Sequence, residues 1–261
     1  MNTKILSNRA LGVIDQYVHF TIGSAVASVP YFNNRTVRAR AALRTYAGKG
    51  SPKDIFEEVE SIMTKSHFPK EQMSDEALKK LLTDQNIGID CSGFAYYVLN
   101  AESIESGKGP LDKHLSFVNC TGIIGKIRCS LRPSENCDVA TLASDKNSRA
   151  AISKEIRPGD MITMMGTQDG IFGIERDHIL IIHQVDYQNF SPFKLYYTHA
   201  IAYPEDGVYG TGIKQGTIEI IDAGKPITEA RWTEDGKEGP NDRIFMRAQR
   251  SRTEVRRLKW L

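Results

Sequence analysis

Cys91 is the residue whose type and position point most directly to chemistry. It follows Asp90, a residue type that caps helix N-termini, and apolar residues with helical spacing come after it. The sequence therefore predicts a helix over residues 90–100 with the thiol in its first turn. A helix N-terminus favours a thiolate, and the backbone N–H groups of Cys91 and Ser92 could hold an oxyanion. The alternative is a buried structural cysteine beneath a helix cap.

The composition is that of an ordinary globular chain. The 261 residues include 34 Lys and Arg, 32 Asp and Glu, and 40% hydrophobic residues, which excludes disordered chains, coiled coils and disulfide-framework miniproteins. A chain of this length buries a sufficient core without a metal or a disulfide. The net charge of +2 excludes global electrostatics as the main basis of function.

The cysteines and the hydropathy predict the compartment. Cys91 stands apart from Cys120, Cys129 and Cys137, a distribution that favours reduced thiols. Residues 1–30 lack the apolar core of a signal peptide, and no apolar run approaches the ~20 residues that span a bilayer. We therefore expect a cytoplasmic protein without integral membrane association.

The predicted secondary structure that positions Cys91 changes from helices to strands along the chain. Helical periodicity predicts helices over 10–28 and 35–49 and others that begin near 51 and 74. Alternation after residue 150 predicts strands over 161–165, 178–186, 194–202, 217–221 and 244–248. Helices followed by strands indicate an α+β fold with an antiparallel sheet.

The domain organisation follows from the same change of pattern. We expect an N-terminal helical extension (1–86) that packs on a core (87–222). The core carries an insertion at about 101–150, where periodicity is weak. A basic C-terminal segment (223–261) is expected to complete the same domain.

Four segments, in order, resemble the NlpC/P60 cysteine peptidases. Residues 90–94 (DCSGF) resemble the nucleophile motif, and residues 157–162 (RPGDMI) are similar to the turn into the first core strand. Residues 178–182 (HILII) resemble the strand that begins with the general base, and residues 198–200 (THA) resemble the pair that often holds the third polar residue. This resemblance covers about residues 88–202. It implies a papain-like fold, with the sheet packed on the nucleophile helix, and cleavage of amide bonds in peptidoglycan peptides.

The resemblance assigns a role to each matching residue. Cys91 becomes the nucleophile, His178 the general base and His199 the third member of the triad. The family also has a Pro-Tyr-x-x-Gly-Gly segment shortly before the nucleophile, and residues 30–34 (PYFNN) match it only in part, about 60 residues upstream. That match makes Tyr31 a substrate contact, and the alternative is a tyrosine that packs on the core. The gap between the nucleophile and the residue 158 turn is also longer than the family's.

Strand alternation tests the two histidines of the resemblance. Side chains two apart share a face, so His178 and His183 point to opposite faces of their strand. If residues 194–202 form the antiparallel neighbour, His199 comes opposite or diagonal to His178, at about 4.5–8 Å. It could then orient the imidazole, as in a catalytic triad. We expect His183 to be an ordinary strand histidine.

Two further features have simpler explanations than a binding site. Cys120, Cys129 and Cys137 lie near His114 and could bind zinc, but their spacings fit no common zinc module, so ordinary thiols are expected. Residues 243–261 hold seven basic residues and one acid, which could attract an anionic partner. No nucleic-acid motif accompanies them, so a solvated strand and tail are expected.

The sequence therefore predicts a cysteine hydrolase that acts through Cys91, His178, His199 and an acyl-enzyme. The expected substrate is an amide bond in a cell-wall, peptidoglycan-derived peptide, with no metal, no cofactor and no nucleic-acid partner. Two alternatives stay open. One is an amidase or acyltransferase of the same fold that acts on a non-wall substrate, and the other is a binding module without catalysis.

Overall fold

The helices and the sheet occupy the parts of the chain that the structure describes. This computed structural model describes residues 2–33, 44–169 and 174–261. The helices are α1 (Asn8–Val18), α2 (Pro52–Ser66), α3 (Asp75–Asp84), α4 (Cys91–Glu105), α5 (Gly122–Leu131), α6 (Pro133–Asn136), α7 (Val139–Ala143) and α8 (Arg243–Gln249).

The strands form one large antiparallel sheet and a small hairpin. They are β1 (Asn2–Ile5), β2 (Phe20–Ile22), β3 (Ala25–Ala27), β4 (Ser148–Ala150), β5 (Met161–Asp169), β6 (Ile174–Gln188), β7 (Ser191–Ile201), β8 (Gly212–Glu219), β9 (Arg231–Glu234), β10 (Lys237–Glu238) and β11 (Arg252–Leu258). The sheet order is β10-β9-β8-β7-β6-β5-β11-β4, with β1 also paired to β6, and β2 pairs with β3 separately. The expected α+β fold with an antiparallel sheet is confirmed.

Local sequence signals set where the first helices begin. Ser51 and Asp54 form a capping box at α2, in which each backbone N–H donates to the other side chain. Pro52 occupies the first helical position, where its missing N–H costs nothing. Ser7 and Ser74 cap α1 and α3. Short polar side chains before each apolar stripe therefore decide the helix boundaries.

Two buried clusters cover the two faces of the large sheet. One cluster joins α1–α4 to Ile179 and Ile181 of β6, and the other joins α8 and β9 to Leu180 and Ile182. The alternation of β6 therefore separates the layers. Helices of the N-terminal region share the α4 cluster, and β11 of the C-terminal region lies between β5 and β4.

The strand predicted over 244–248 is wrong, because these residues lie within α8. Asp242 accepts hydrogen bonds from the N–H groups of Ile244 and Phe245 and caps the helix. Ile244 and Ala248 are four residues apart and both fully buried, so they share the inner face. A five-residue apolar run does not by itself distinguish a strand from a helix.

The helices predicted nearer the N-terminus are also corrected in part. The helix over 10–28 ends at Val18, and β2 and β3 follow as a hairpin with Gly23 in its turn at a φ of 61°. Most of the helix over 35–49 falls on residues 34–43, outside the described residues, while Arg44–Ala47 form one 3-10 turn. The insertion at about 101–150 contains α5, α6, α7 and β4.

Candidate active site

Cys91 opens helix α4 directly after its cap. Asp90 Oδ1 accepts a hydrogen bond from the Gly93 N–H at 2.6 Å, which fixes the first turn. A Cβ at Gly93 would come within 2.9 Å of the Gly48 carbonyl oxygen, so a side chain there would disturb the turn. Cys91 is 5% exposed, and the N–H groups of a first turn have no acceptor within their own helix.

A buried ion pair with Lys49 stabilises the Asp90 cap. Lys49 Nζ lies 2.8 Å from Asp90 Oδ1, and both side chains are 8% exposed. Lys49 also donates to Ser92 Oγ at 2.6 Å and to the Cys137 carbonyl at 3.0 Å, and Ser92 Oγ donates to Asp90 at 3.1 Å. The Ser92 side chain therefore belongs to this internal network, which leaves its backbone N–H for the expected oxyanion contact.

The two histidines meet where strands β6 and β7 separate. The ladder between these strands starts with Ile181 paired to Thr198. From residue 199 onward, β7 pairs with β8 but not with β6. At this open end, His178 Nε2 lies 2.7 Å from His199 Nδ1, and both side chains are buried. The structure therefore brings together the two histidines that strand alternation places on one face.

Glu234 of β9 extends this contact. His199 Nε2 lies 2.6 Å from Glu234 Oε2, and the Tyr203 hydroxyl donates to Glu234 Oε1 at 2.7 Å. Burial opposes ionisation of Glu234, but the interactions with His199 and Tyr203 outweigh it and the pKa of Glu234 is lowered. The resulting carboxylate accepts hydrogen bonds and donates none.

The carboxylate determines where the histidine protons reside. Because Glu234 only accepts, His199 carries its proton on Nε2, and its Nδ1 accepts from the Nε2–H of His178. The Nδ1 of His178 is then left with a lone pair. This is the nitrogen that can take a proton from a nucleophile.

The Cys91 sulfur lies near the backbone of β6 at Ile179, the residue after His178. The Ile179 N–H lowers the pKa of the thiol, but other causes outweigh it. Burial, followed by the charge of Asp90, raises the pKa of Cys91 to about 12. The expected thiolate is therefore wrong for this enclosed arrangement, because the desolvation of the sulfur outweighs the favourable field of the helix terminus.

His178 is neutral for a related reason. Burial, followed by the charge of Arg247 and by His199, holds the pKa of His178 well below its ordinary value of 6.5. An imidazole in this state can accept a proton but does not carry one at rest. At rest, Cys91 is thus a thiol and His178 a neutral imidazole.

Arg247 of α8 lies at the edge of the same cluster. Its Nη2 donates to the Arg176 carbonyl oxygen at 2.9 Å, two residues before His178. Its Nε is buried and has no hydrogen-bond partner among the described residues. Arg247 can therefore donate to a ligand oxygen while its charge stabilises a developing thiolate on Cys91.

Tyr31 is placed beside Cys91 by a short β-bridge. The Pro30 carbonyl accepts from the Ile89 N–H at 3.0 Å, and Tyr31 and Ile89 form a parallel bridge. Burial, followed by the charges of Cys91 and Asp90, raises the pKa of Tyr31. Although it is distant in sequence, this tyrosine thus lies near Cys91.

Other sequence candidates have separate partners. His183 Nδ1 lies 3.0 Å from Thr198 Oγ1, and burial lowers its pKa to about 4. Asp160 accepts from Arg257 at 2.7 Å. These residues stabilise the sheet away from the pair formed by His178 and His199.

The cysteine cluster of the insertion differs from its expectation. Cys120 and Cys129 form a disulfide, and Cys91 and Cys137 are free and buried. The expectation of reduced thiols is therefore wrong for this pair, whose sulfurs are also unavailable to zinc. Within the described residues, no group of three or more His, Cys, Asp or Glu could hold a metal ion.

Three charged residues of the site were not predicted from the sequence. Lys49, Glu234 and Arg247 come from outside the segment that resembles the peptidases. A charged residue at the end of a short strand, such as Glu234, was a usable signal, but its partner depends on the sheet order.

Comparison of the chain with protein-family models, with curated proteins and with solved structures gives no match in any of the three. None of the helices in the described part of the chain is long and apolar enough to cross a membrane.

Proposed function

We propose that the protein is a cysteine hydrolase with a papain-like fold. The proposal is carried by one observation: the Cys91 thiol, at a helix N-terminus, lies near the Ile179 N–H, one residue along β6 from His178, and His178 Nε2 lies 2.7 Å from His199 Nδ1. A sulfur nucleophile, a neighbouring base and a third group that orients the base are the parts of a triad.

The reaction begins with proton transfer within the pair. His178 Nδ1 takes the proton of Cys91 as the sulfur attacks the substrate carbonyl carbon. The backbone N–H groups of Cys91 and Ser92 bind the oxyanion. When the tetrahedral intermediate collapses, the imidazolium of His178 protonates the leaving amine, and a thioester remains on Cys91.

Hydrolysis of the thioester uses the same groups in reverse order. His178 takes a proton from water, the hydroxide attacks the thioester carbonyl, and the proton returns to the departing sulfur of Cys91. The products are an acid and an amine, and the thiol and imidazole are restored. His199 and Glu234 fix the tautomer of His178 throughout.

The proposed substrate is an amide bond in a peptide derived from peptidoglycan. This choice comes from the resemblance of residues 88–202 to the NlpC/P60 peptidases. The buried Nε–H of Arg247 is compatible with it, because such peptides offer carbonyl and carboxylate oxygens close to the scissile bond. Tyr31, beside Cys91, supplies the second proposed substrate contact.

Incubation with soluble peptidoglycan fragments, followed by mass spectrometry of the products, tests the proposal. We expect cleavage of an amide bond by the native protein and none by Cys91→Ala. His183→Gln is the matched control, because its ring lies outside the cluster, and it should retain activity. Cleavage by Cys91→Ala would refute the proposed nucleophile.

The same assay distinguishes the alternatives. An acyltransferase would give more of an amide product than of free acid when an amine acceptor such as glycinamide is added. A binding module would give no turnover, and its Cys91 would react with iodoacetamide no faster in native protein than in His178→Ala.

A further inference from the structure

We propose that helix α5 (Gly122–Leu131) is a peripheral membrane-binding element that lies on the surface of an anionic lipid bilayer. The proposal is independent of the catalytic site. It rests on the exposed side chains of α5, on their arrangement around the helix and on the charges beside them.

The first observation is an exposed aliphatic stripe. Four large aliphatic side chains of α5 are open to solvent: Ile123 at 79%, Ile124 at 85%, Ile127 at 54% and Leu131 at 72%. With 3.6 residues per turn they occupy an arc of about 100°. Single exposed aliphatic residues are ordinary, but a continuous stripe marks an interaction surface.

The second observation is that this stripe faces away from the protein. Cys129 is 1% exposed and lies about 190° from the middle of the stripe. It is bonded to Cys120, and Gly125, on the same side, approaches the Cys120 backbone. The disulfide and this contact hold the inner side of α5, so the aliphatic stripe is its outermost surface.

The third observation is the charge beside the stripe. Lys126 and Arg128 lie on its two sides, about 60° and 40° beyond the aliphatic arc, and both are exposed. Neither forms a side-chain hydrogen bond or ion pair within the described residues. The helix contains no acidic residue.

This arrangement fits an anionic bilayer. A helix in the interface inserts its aliphatic face among the acyl chains while Lys and Arg extend to the lipid phosphates. The stripe of α5 is flanked by cations on both sides, which complements a negatively charged surface. The length of ten residues suits a helix that lies on a membrane rather than one that crosses it.

Vesicle sedimentation with the full chain tests the proposal. We expect the protein to sediment with vesicles of equimolar phosphatidylglycerol and phosphatidylcholine and to sediment much less with phosphatidylcholine alone. High salt should release it, because the cationic contribution is screened. Failure to bind the anionic vesicles at low salt would overturn the proposal.

Two double variants separate the apolar contribution of the α5 stripe from nonspecific adsorption through exposed apolar residues elsewhere. The double variant Ile124→Ser with Leu131→Ser should weaken vesicle binding by at least about tenfold, because both side chains lose their insertion. The control, Ile152→Ser with Phe190→Ser, changes two exposed apolar residues elsewhere (61% and 100% exposed) and should bind as the native protein does. Equal binding by both double variants would overturn the proposal.

Further variants test the two flanking cations and the alternative that the stripe binds a second copy of the protein. Lys126→Gln with Arg128→Gln should reduce binding to anionic vesicles and leave the weak binding to neutral vesicles unchanged. Circular dichroism should show that these surface variants remain folded. If the native protein instead forms a dimer that Ile124→Ser abolishes, and does not bind vesicles, the stripe is a protein interface and the proposal fails.

Discussion

Replacement of Glu234 by glutamine removes one charge and nearly preserves the shape of the site. Glu234 accepts from His199 and from Tyr203 through different oxygens. The Tyr203 hydroxyl can donate or accept, so the new amide nitrogen can face it while the amide oxygen still accepts from His199. The tautomers of His199 and His178 are then kept, and the change isolates the effect of the negative charge.

The charge acts mainly on the ion pair that forms when the proton of Cys91 moves to His178. Across the His199 ring, Glu234 lies about 7 Å from the His178 ring, and at an effective dielectric constant of 20 it attracts the imidazolium by about 2.4 kcal/mol. Glu234 is not among the main charges that act on Cys91, so its repulsion of the thiolate offsets only part of this attraction. Weaker hydrogen bonds to the charged ring cost about 1 kcal/mol more.

These contributions predict different changes at low and at high pH. The ion pair and the neutral pair bind the same number of protons, so alkylation of Cys91 through the ion pair is independent of pH. Glu234→Gln should lower this pH-independent rate by about 5- to 30-fold. The alkaline limb reports the thiolate beside neutral His178, and it should stay constant or rise because only the repulsion is lost.

Timed iodoacetamide labelling from pH 6 to pH 10, with mass spectrometric quantification of modified Cys91, measures the pH-independent plateau and the alkaline limb of the rate. Tyr203→Phe is the control, since it keeps the charge of Glu234 and should lower the plateau less. His178→Ala should eliminate the plateau. An unchanged plateau in Glu234→Gln, or a parallel fall of both limbs, would refute the assignment of Glu234 as a positioning residue for the base.

Three further predictions follow from the same geometry. Lys49→Met should destabilise the fold by about 3–5 kcal/mol in urea unfolding, because it leaves the buried carboxylate of Asp90 unpaired; Lys53→Met, at an exposed pair, should change stability little, and equal effects would contradict the argument. Arg247→Gln should slow Cys91 alkylation on the alkaline limb, since a cation that lowers the thiol pKa is lost; a faster reaction would show that the cation does not act on the sulfur. In native protein this alkaline limb should rise about tenfold per pH unit without levelling by pH 10, because the thiol pKa is about 12; a rate that levels off near pH 7 would mean that the thiol is acidic.

The parts of the site that were predictable are those fixed by local sequence. Asp90 before an apolar helical repeat places Cys91 in a first turn, since a cap needs only its own neighbouring N–H groups. Strand alternation relates His178 to His199 because the two strands join through a short turn. In both cases the residues that decide the geometry lie within about 25 positions of one another.

The remaining parts depend on contacts that a local pattern does not contain. Glu234 reaches His199 only because β9 follows β8 in the sheet order, and Lys49 reaches Asp90 through a backbone turn 41 residues earlier in the chain. Residues 244–248 have an apolar pattern that suits a strand or a helix, and the cap at Asp242 decides for the helix. Arg247 was therefore assigned to the wrong type of element.

The charged residues also show why the peptidase-like segment alone does not define the site. Residues 88–202 supply the sulfur and the two imidazoles, but Asp90 pairs with Lys49 from before this segment and His199 is hydrogen-bonded to Glu234 from after it. Without Lys49, a buried carboxylate would oppose ionisation of the adjacent thiol. Without Glu234, nothing would fix the proton of His199 on Nε2, and His178 Nδ1 would no longer be the only basic nitrogen. Charges from the flanking regions thus act across the core on Asp90, the neighbour of Cys91, and on His199, the partner of His178.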